Sequence, residues 1–119
     1  MSASAALEGV RGICSALPEV VERPSHGAPS FFVGGKRCFV MFMDHHDDGR
    51  LALWCAAPDG MQELLVDGGR DAYFRPPYVG HRGWVGVRLD RDLSWDEVAG
   101  AIEDAWESVA PARLLERVQ

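Results

Sequence analysis

The sequence offers little of what a secreted, membrane-bound or cofactor-dependent protein needs. Its three cysteines, Cys14, Cys38 and Cys55, show no C-x-x-C spacing and each sits in an apolar segment, so buried reduced thiols are expected rather than a disulfide scaffold or a thiolate metal site. No apolar run reaches the ~20 residues that cross a bilayer. The opening residues also lack the charged, apolar and small-residue order of a signal peptide, and the expectation is a cytoplasmic protein with no membrane partner. Basic side chains are outnumbered, 12 Lys and Arg against 18 Asp and Glu for a net charge of -6, a sign that opposes non-specific attraction to nucleic acid or anionic lipid. Nucleotide fingerprints are missing. Gly80, Gly83 and Gly86 are spaced G-x-x-G-x-x-G, which matches neither the dinucleotide motif nor the P-loop and suits a turn and close strand packing instead. Ser25-His26 pairs a hydroxyl with a base, but adjacent residues rarely align for proton transfer and no nucleophile elbow surrounds them.

What is present is one domain's worth of alternating pattern. The chain has 119 residues, 47% of them hydrophobic, enough for one core and too short for two. Leu7, Val10, Cys14 and Leu17 recur at helical spacing from Ala5 until Pro18, giving an amphipathic N-terminal helix. Residues 24–29 contain Pro, Ser and Gly and read as an irregular connection. Residues 30–33 and 36–43 read as strands joined by Gly34-Gly35, with 50–56 as a further return strand. Pro58 suits the first position of a short helix with Met61, Leu64 and Leu65 as its apolar face, stopped by Gly68-Gly69. Tyr73-Phe74 and residues 84–89 add strands. Ser94 and Glu97 form a capping box before Val98, Ile102, Ala105 and Val109, and Pro111 opens a last turn carrying Leu114, Leu115 and Val118. Adjacent hairpins favour an α+β fold: a twisted, mainly antiparallel sheet with helices packed on one face.

Candidate chemistry is sparse. Asp44, His45, His46, Asp47 and Asp48 place five ligand types in one run, but consecutive side chains in an extended loop diverge and a solvated turn is the expectation, with no metal. Trp54, Trp84, Trp95 and Trp106 each fall in an element and read as packing residues. Residues 70–88 hold Arg70, Arg75, Arg82 and Arg88 against Asp71 alone, while every other part of the chain is net negative. That segment with Lys36 is the candidate phosphate-binding surface, with Tyr78 or Trp84 for base stacking. The alternative is a small-molecule or protein-binding site built from His26, Lys36, Tyr78, His81 and Trp84.

One resemblance runs along nearly the whole chain. His26-Gly27-Ala28-Pro29, then Phe31, Val33, Gly35 and Lys36, followed by Pro76-Pro77-Tyr78 and Gly83-Trp84-Val85, resemble the MmcQ/YjbR family of small bacterial proteins. Two departures stand out: Ala56-Ala57 replaces a lysine common after the preceding strand, and Ala105-Trp106 replaces a common Ser-Tyr. The resemblance implies a double-wing, CyaY-like arrangement of twisted antiparallel sheet and helices. It implies DNA binding by likeness of shape, and it does not imply an enzymatic activity; no cofactor is expected.

Overall fold

The computed structural model describes residues 2–44, 50–91 and 93–116. Its elements are α1 (Ala3–Ser15), β1 (Val20–Ser25), β2 (Ala28–Val33), β3 (Arg37–Asp44), β4 (Leu51–Cys55), α2 (Met61–Asp67), β5 (Tyr73–Phe74), a 3-10 turn (Gly80–Arg82), β6 (Val85–Arg88), α3 (Trp95–Val109) and α4 (Ala112–Leu115). The strands form one six-stranded sheet in the order β1-β2-β3-β4-β6-β5, and every neighbouring pair is antiparallel. The α+β expectation holds. No described helix is long and apolar enough to cross a membrane.

Residues 24–29 correct the sequence reading. They belong to a hairpin, with β1 at the sheet edge, Pro24 opposite Pro29 and only His26-Gly27 as its turn. Proline obscured the strand because it cannot donate to a ladder, yet an edge tolerates it, and Pro29 precedes the β2–β3 ladder that begins at Ser30. Lys36 is likewise not a strand residue. Val33 pairs with Arg37, which leaves Gly34, Gly35 and Lys36 as an exposed turn. Pro58 lies before α2, whose N-cap is Gly60 at φ 85°, and the buried residue of that helix is Gln62, whereas Leu64 is 67% exposed.

Direct cross-strand partners share a face, so the register divides the sheet into two surfaces. Glu22, Phe31, Val40, Cys55 and Val85 form one transverse row, and Phe42, Leu53, Val87 and Tyr73 another. These rows face α1 and α3: Glu22 accepts two hydrogen bonds from Arg11 of α1, and α3 buries Val98, Ile102, Ala105 and Trp106. The helix itself is set by the capping box, in which Ser94 Oγ accepts from the Glu97 N–H and Glu97 Oε1 from the Ser94 N–H. Trp106 then donates Nε1–H to the Pro18 carbonyl at 3.1 Å.

The opposite surface carries the row Arg23, Ser30, Met41, Trp54, Gly86 and Phe74. Gly86 is required there because a Cβ would collide with the Phe74 ring. The register shift at Phe31/Phe32 leaves Phe39 as an extra residue of β3. This bulge sends both Phe39 and Val40 into the helix-side core, each 0% exposed, and turns Cys38 onto the face of Met41 and Met43.

Candidate functional site

A cavity of about 520 Å³ opens on the face away from α1 and α3. Its floor is Cys38, Met41 and Met43 of β3 with Trp54 of β4, its wall is Tyr78, Val79, Arg82 and Trp84, and the β1–β2 turn closes one end with Ser25 and His26. Residues from four separate parts of the chain converge, and among the described residues that line the cavity none is acidic.

The backbone that shapes this cavity is strained where it lines it. Only Glu19, His26 and Tyr78 among the described non-glycine residues have positive φ, at 56°, 52° and 65°, and two of the three are cavity residues. His26 adopts that value because a two-residue hairpin turn matched to strand twist needs positive φ at both positions, and Gly27 supplies the other at 80°. Tyr78 follows Pro76-Pro77. The residue is 73% exposed, and its ring centroid stands 6.4 Å from that of Trp54, the rings tilted by 48°.

Gln62 fixes the wall, and sequence reasoning missed it. It is only 4% exposed, and Nε2 donates to the carbonyls of Gly80, at 2.7 Å, and Trp84. Its Oε1 accepts from Arg75 Nη1 at 3.3 Å. The Arg75 stem passes so close to Gly80 that a Cβ there would lie 2.8 Å from its Cγ. One buried amide thus holds both ends of residues 80–84. Its signal was a lone amide beside Met61 in a short apolar helix, which pattern alone does not separate from a solvated position.

The sequence-derived candidates are distributed unevenly. His26, Tyr78 and Trp84 meet in the cavity, and Arg82 joins them from the arginine segment. Lys36 sits in the exposed β2–β3 turn and His81 is exposed in the 3-10 turn; neither lines the cavity. The four arginines do not form one stripe. Arg70 pairs with Glu97 at 2.6 Å on the helix side, Arg88 grips both Asp90 oxygens at 3.0 and 3.1 Å, and Arg75 is turned to Gln62. Of the run 44–48 only Asp44 is described, so the expectation for that loop lies outside the described residues, as do Asp92 and Val118.

Electrostatics mark one end of the floor. Burial pushes the Cys38 thiol up from its ordinary value, while Arg82 and Arg23 oppose the shift. Both cations therefore act on the same point. Arg23 is held there by a 2.9 Å bond to the Gly35 carbonyl and lies 3.8 Å over the Phe32 ring, with Phe32 directly opposite Cys38. Arg82 lies 5.3 Å from the Trp84 ring centroid. Deep burial pushes Cys14 up to about 12 and Cys55 higher still, which makes those two thiols inert. Among the described residues no three His, Cys, Asp or Glu side chains gather as metal ligands.

Trp54 is the remaining feature. It is 3% exposed, and its Nε1 is the one buried side-chain polar atom without a hydrogen-bond partner among the described residues. A buried donor left unsatisfied costs ~1–3 kcal/mol.

Comparison with known proteins places this geometry. The YjbR family profile matches residues 15–108. The chain belongs to the YjbR family. The match takes in all six strands and nearly all of α3, and hence the whole cavity. A crystal structure of a Deinococcus radiodurans protein with a DUF419 domain superposes with a TM-score of 0.76 at 18% identity, covering 94% of this chain and 86% of that one. At that identity the likeness speaks to fold alone. No curated protein matches the chain.

Proposed function

We propose that this YjbR protein is a non-enzymatic binding module whose site is the cavity on the open face of the sheet, and that its ligand is a small molecule. Trp54 carries the reading: a large ring in the cavity floor whose buried N–H has no partner among the described residues is a donor in want of an acceptor. The strained backbone at His26 and Tyr78 supports it, since such conformations cluster where a site must be held in shape. Ser25 and His26 both line the cavity, but among the described residues no hydrogen bond joins a hydroxyl or thiol there to a base, and the polar groups suit holding a ligand.

DNA binding through residues 70–88 draws less support, because Arg70 and Arg88 already hold carboxylates and the net charge is -6. Two parallel assays separate the readings. Thermal-shift screening against a metabolite panel is expected to find saturable stabilisation that is lost in Val79→Trp, which fills the cavity. Anisotropy with labelled duplex and single-stranded DNA at two salt concentrations is expected to show no binding tighter than the micromolar range. Tight DNA binding whose log–log salt slope becomes shallower by about one in Arg75→Ala or Arg82→Ala, with an inert panel, would replace the small-molecule reading.

A further inference from the structure

Resting on that cavity reading, we propose that the ligand is an amphipathic anion, its apolar body lying along β3 and its carboxylate, sulfonate or phosphate group at the Cys38 end between Arg82 and Arg23. The floor sets the body. Cys38 and Met43 stand at opposite ends of β3, about 14 Å apart at the usual rise per residue once the bulge is discounted, and what lies between is Met41 flanked by Trp54. Thioether and indole surfaces favour an apolar, polarizable partner.

Charge sets the polarity. In a protein of net charge -6, the described residues lining this cavity include a guanidinium and no carboxylate. Arg82 lines the cavity, and Arg23 is pinned at the same end by Gly35 and Phe32. Both stack on aromatic faces, which orients a guanidinium without consuming its charge, and a planar fork held this way meets an oxyanion with little further ordering. A site offering donors and positive charge, with no carboxylate among its described lining residues to answer a cation, selects acceptor-rich anions over amines.

Two probes with the same ring system isolate the charge: 8-anilinonaphthalene-1-sulfonate and its neutral analogue N-phenyl-1-naphthylamine, titrated by fluorescence against the full chain. The sulfonate is expected to bind about tenfold tighter than the neutral probe, with the difference largely abolished in Arg82→Gln, retained in Arg82→Lys, and unchanged in Arg113→Gln, a charge-matched control paired with Glu19 on the helix side. Inorganic phosphate at the sulfonate's concentration is expected not to displace it, since it lacks the apolar body. Equal affinity for both probes, insensitive to Arg82→Gln, overturns the anion assignment and leaves the cavity reading standing. Displacement by phosphate alone overturns the amphipathic class, and failure of both probes to bind removes the cavity reading and this proposal together.

Discussion

The two faces of the sheet each hold a buried tryptophan, and the two differ in one atom's surroundings. Trp106, between α3 and the helix-side rows, is 1% exposed and gives its N–H to Pro18; Trp54, on the opposite face, is 3% exposed and its N–H has no partner among the described residues. The rest of each surface follows the same division. The helix side is filled by Phe39, Val40, Leu53, Val87 and Ile102, all 0% exposed, and its cation pairs, such as Arg11–Glu22, stand at the rim. Among the described residues arginines lie over three aromatic rings of the open side, Arg23 over Phe32, Arg50 over Phe74 and Arg82 over Trp84, against one on the helix side, Arg70 at 5.9 Å from the Tyr73 ring centroid. One sheet surface is closed for stability, and the other is kept partly unfilled, strained and positively charged.

The largest expected effect tests whether the faces differ in packing. Phe39→Ala on the sealed side is expected to cost ~3–5 kcal/mol, while Met43→Ala beside the existing cavity falls at or below ~2 kcal/mol, because little new void is created there. Equal losses in urea denaturation would erase the distinction. Next comes the wall: Gln62→Ala is expected to cost ~1–3 kcal/mol by stranding the Gly80 and Trp84 carbonyls. Hydrogen exchange should then accelerate in residues 79–84 and stay unchanged in α3; uniform acceleration would mean that the amide is an ordinary core contact. Ser94→Ala, acting on the helix side alone, is expected to cost ~0.5–2 kcal/mol without altering probe binding in the cavity.

The smallest effect is electrostatic. Arg88 holds the Asp90 carboxyl, and Arg11 the Glu22 carboxyl, below their usual values through direct hydrogen bonds. A depressed carboxylate gives stability that is complete above its unfolded pKa, near 4, and lost as pH falls through the lower folded value. Stability should therefore decline as pH drops below about 4, by at most ~1 kcal/mol per pair because these side chains are partly exposed, and the melting temperature with it. Arg88→Gln and Arg11→Gln should each flatten that acid slope by a similar small amount; an unchanged slope in both would assign the acid loss to other carboxylates.

How much of this was legible depended on whether a feature is local. The Ser94 to Glu97 box, the Gly68 stop after α2 and the alternation of β6 are written in neighbouring residues, and the sheet type followed from its hairpins. The edge strand β1 was hidden by Pro24, since the rule that demotes proline within a strand does not show from sequence alone which strand lies at an edge. The cavity was half visible. His26, Tyr78 and Trp84 carried the resemblance to the family and do converge, but Lys36 came with them from the same motif, and the motif runs the length of β2, so that its ends belong to different ends of the sheet. Trp54 read as a packing residue, and Met41 and Met43 drew no reading of their own within the strand, because alternation cannot tell a face covered by a helix from one left open. Gln62 acts on residues 18 and 22 positions away, a separation that no local pattern reports.

The two tryptophans supply the most direct test of the central claim, that the unfilled face is the binding face. With indole nitrogens labelled with ¹⁵N, titration with 8-anilinonaphthalene-1-sulfonate is followed by the Nε1–H signals. The account predicts a saturable shift of the Trp54 signal, smaller changes at Trp84, and a Trp106 signal that stays in place with its bond to Pro18 intact. A Trp106 signal that moves as far as that of Trp54, or a Trp54 signal that never moves while the probe binds, would contradict it.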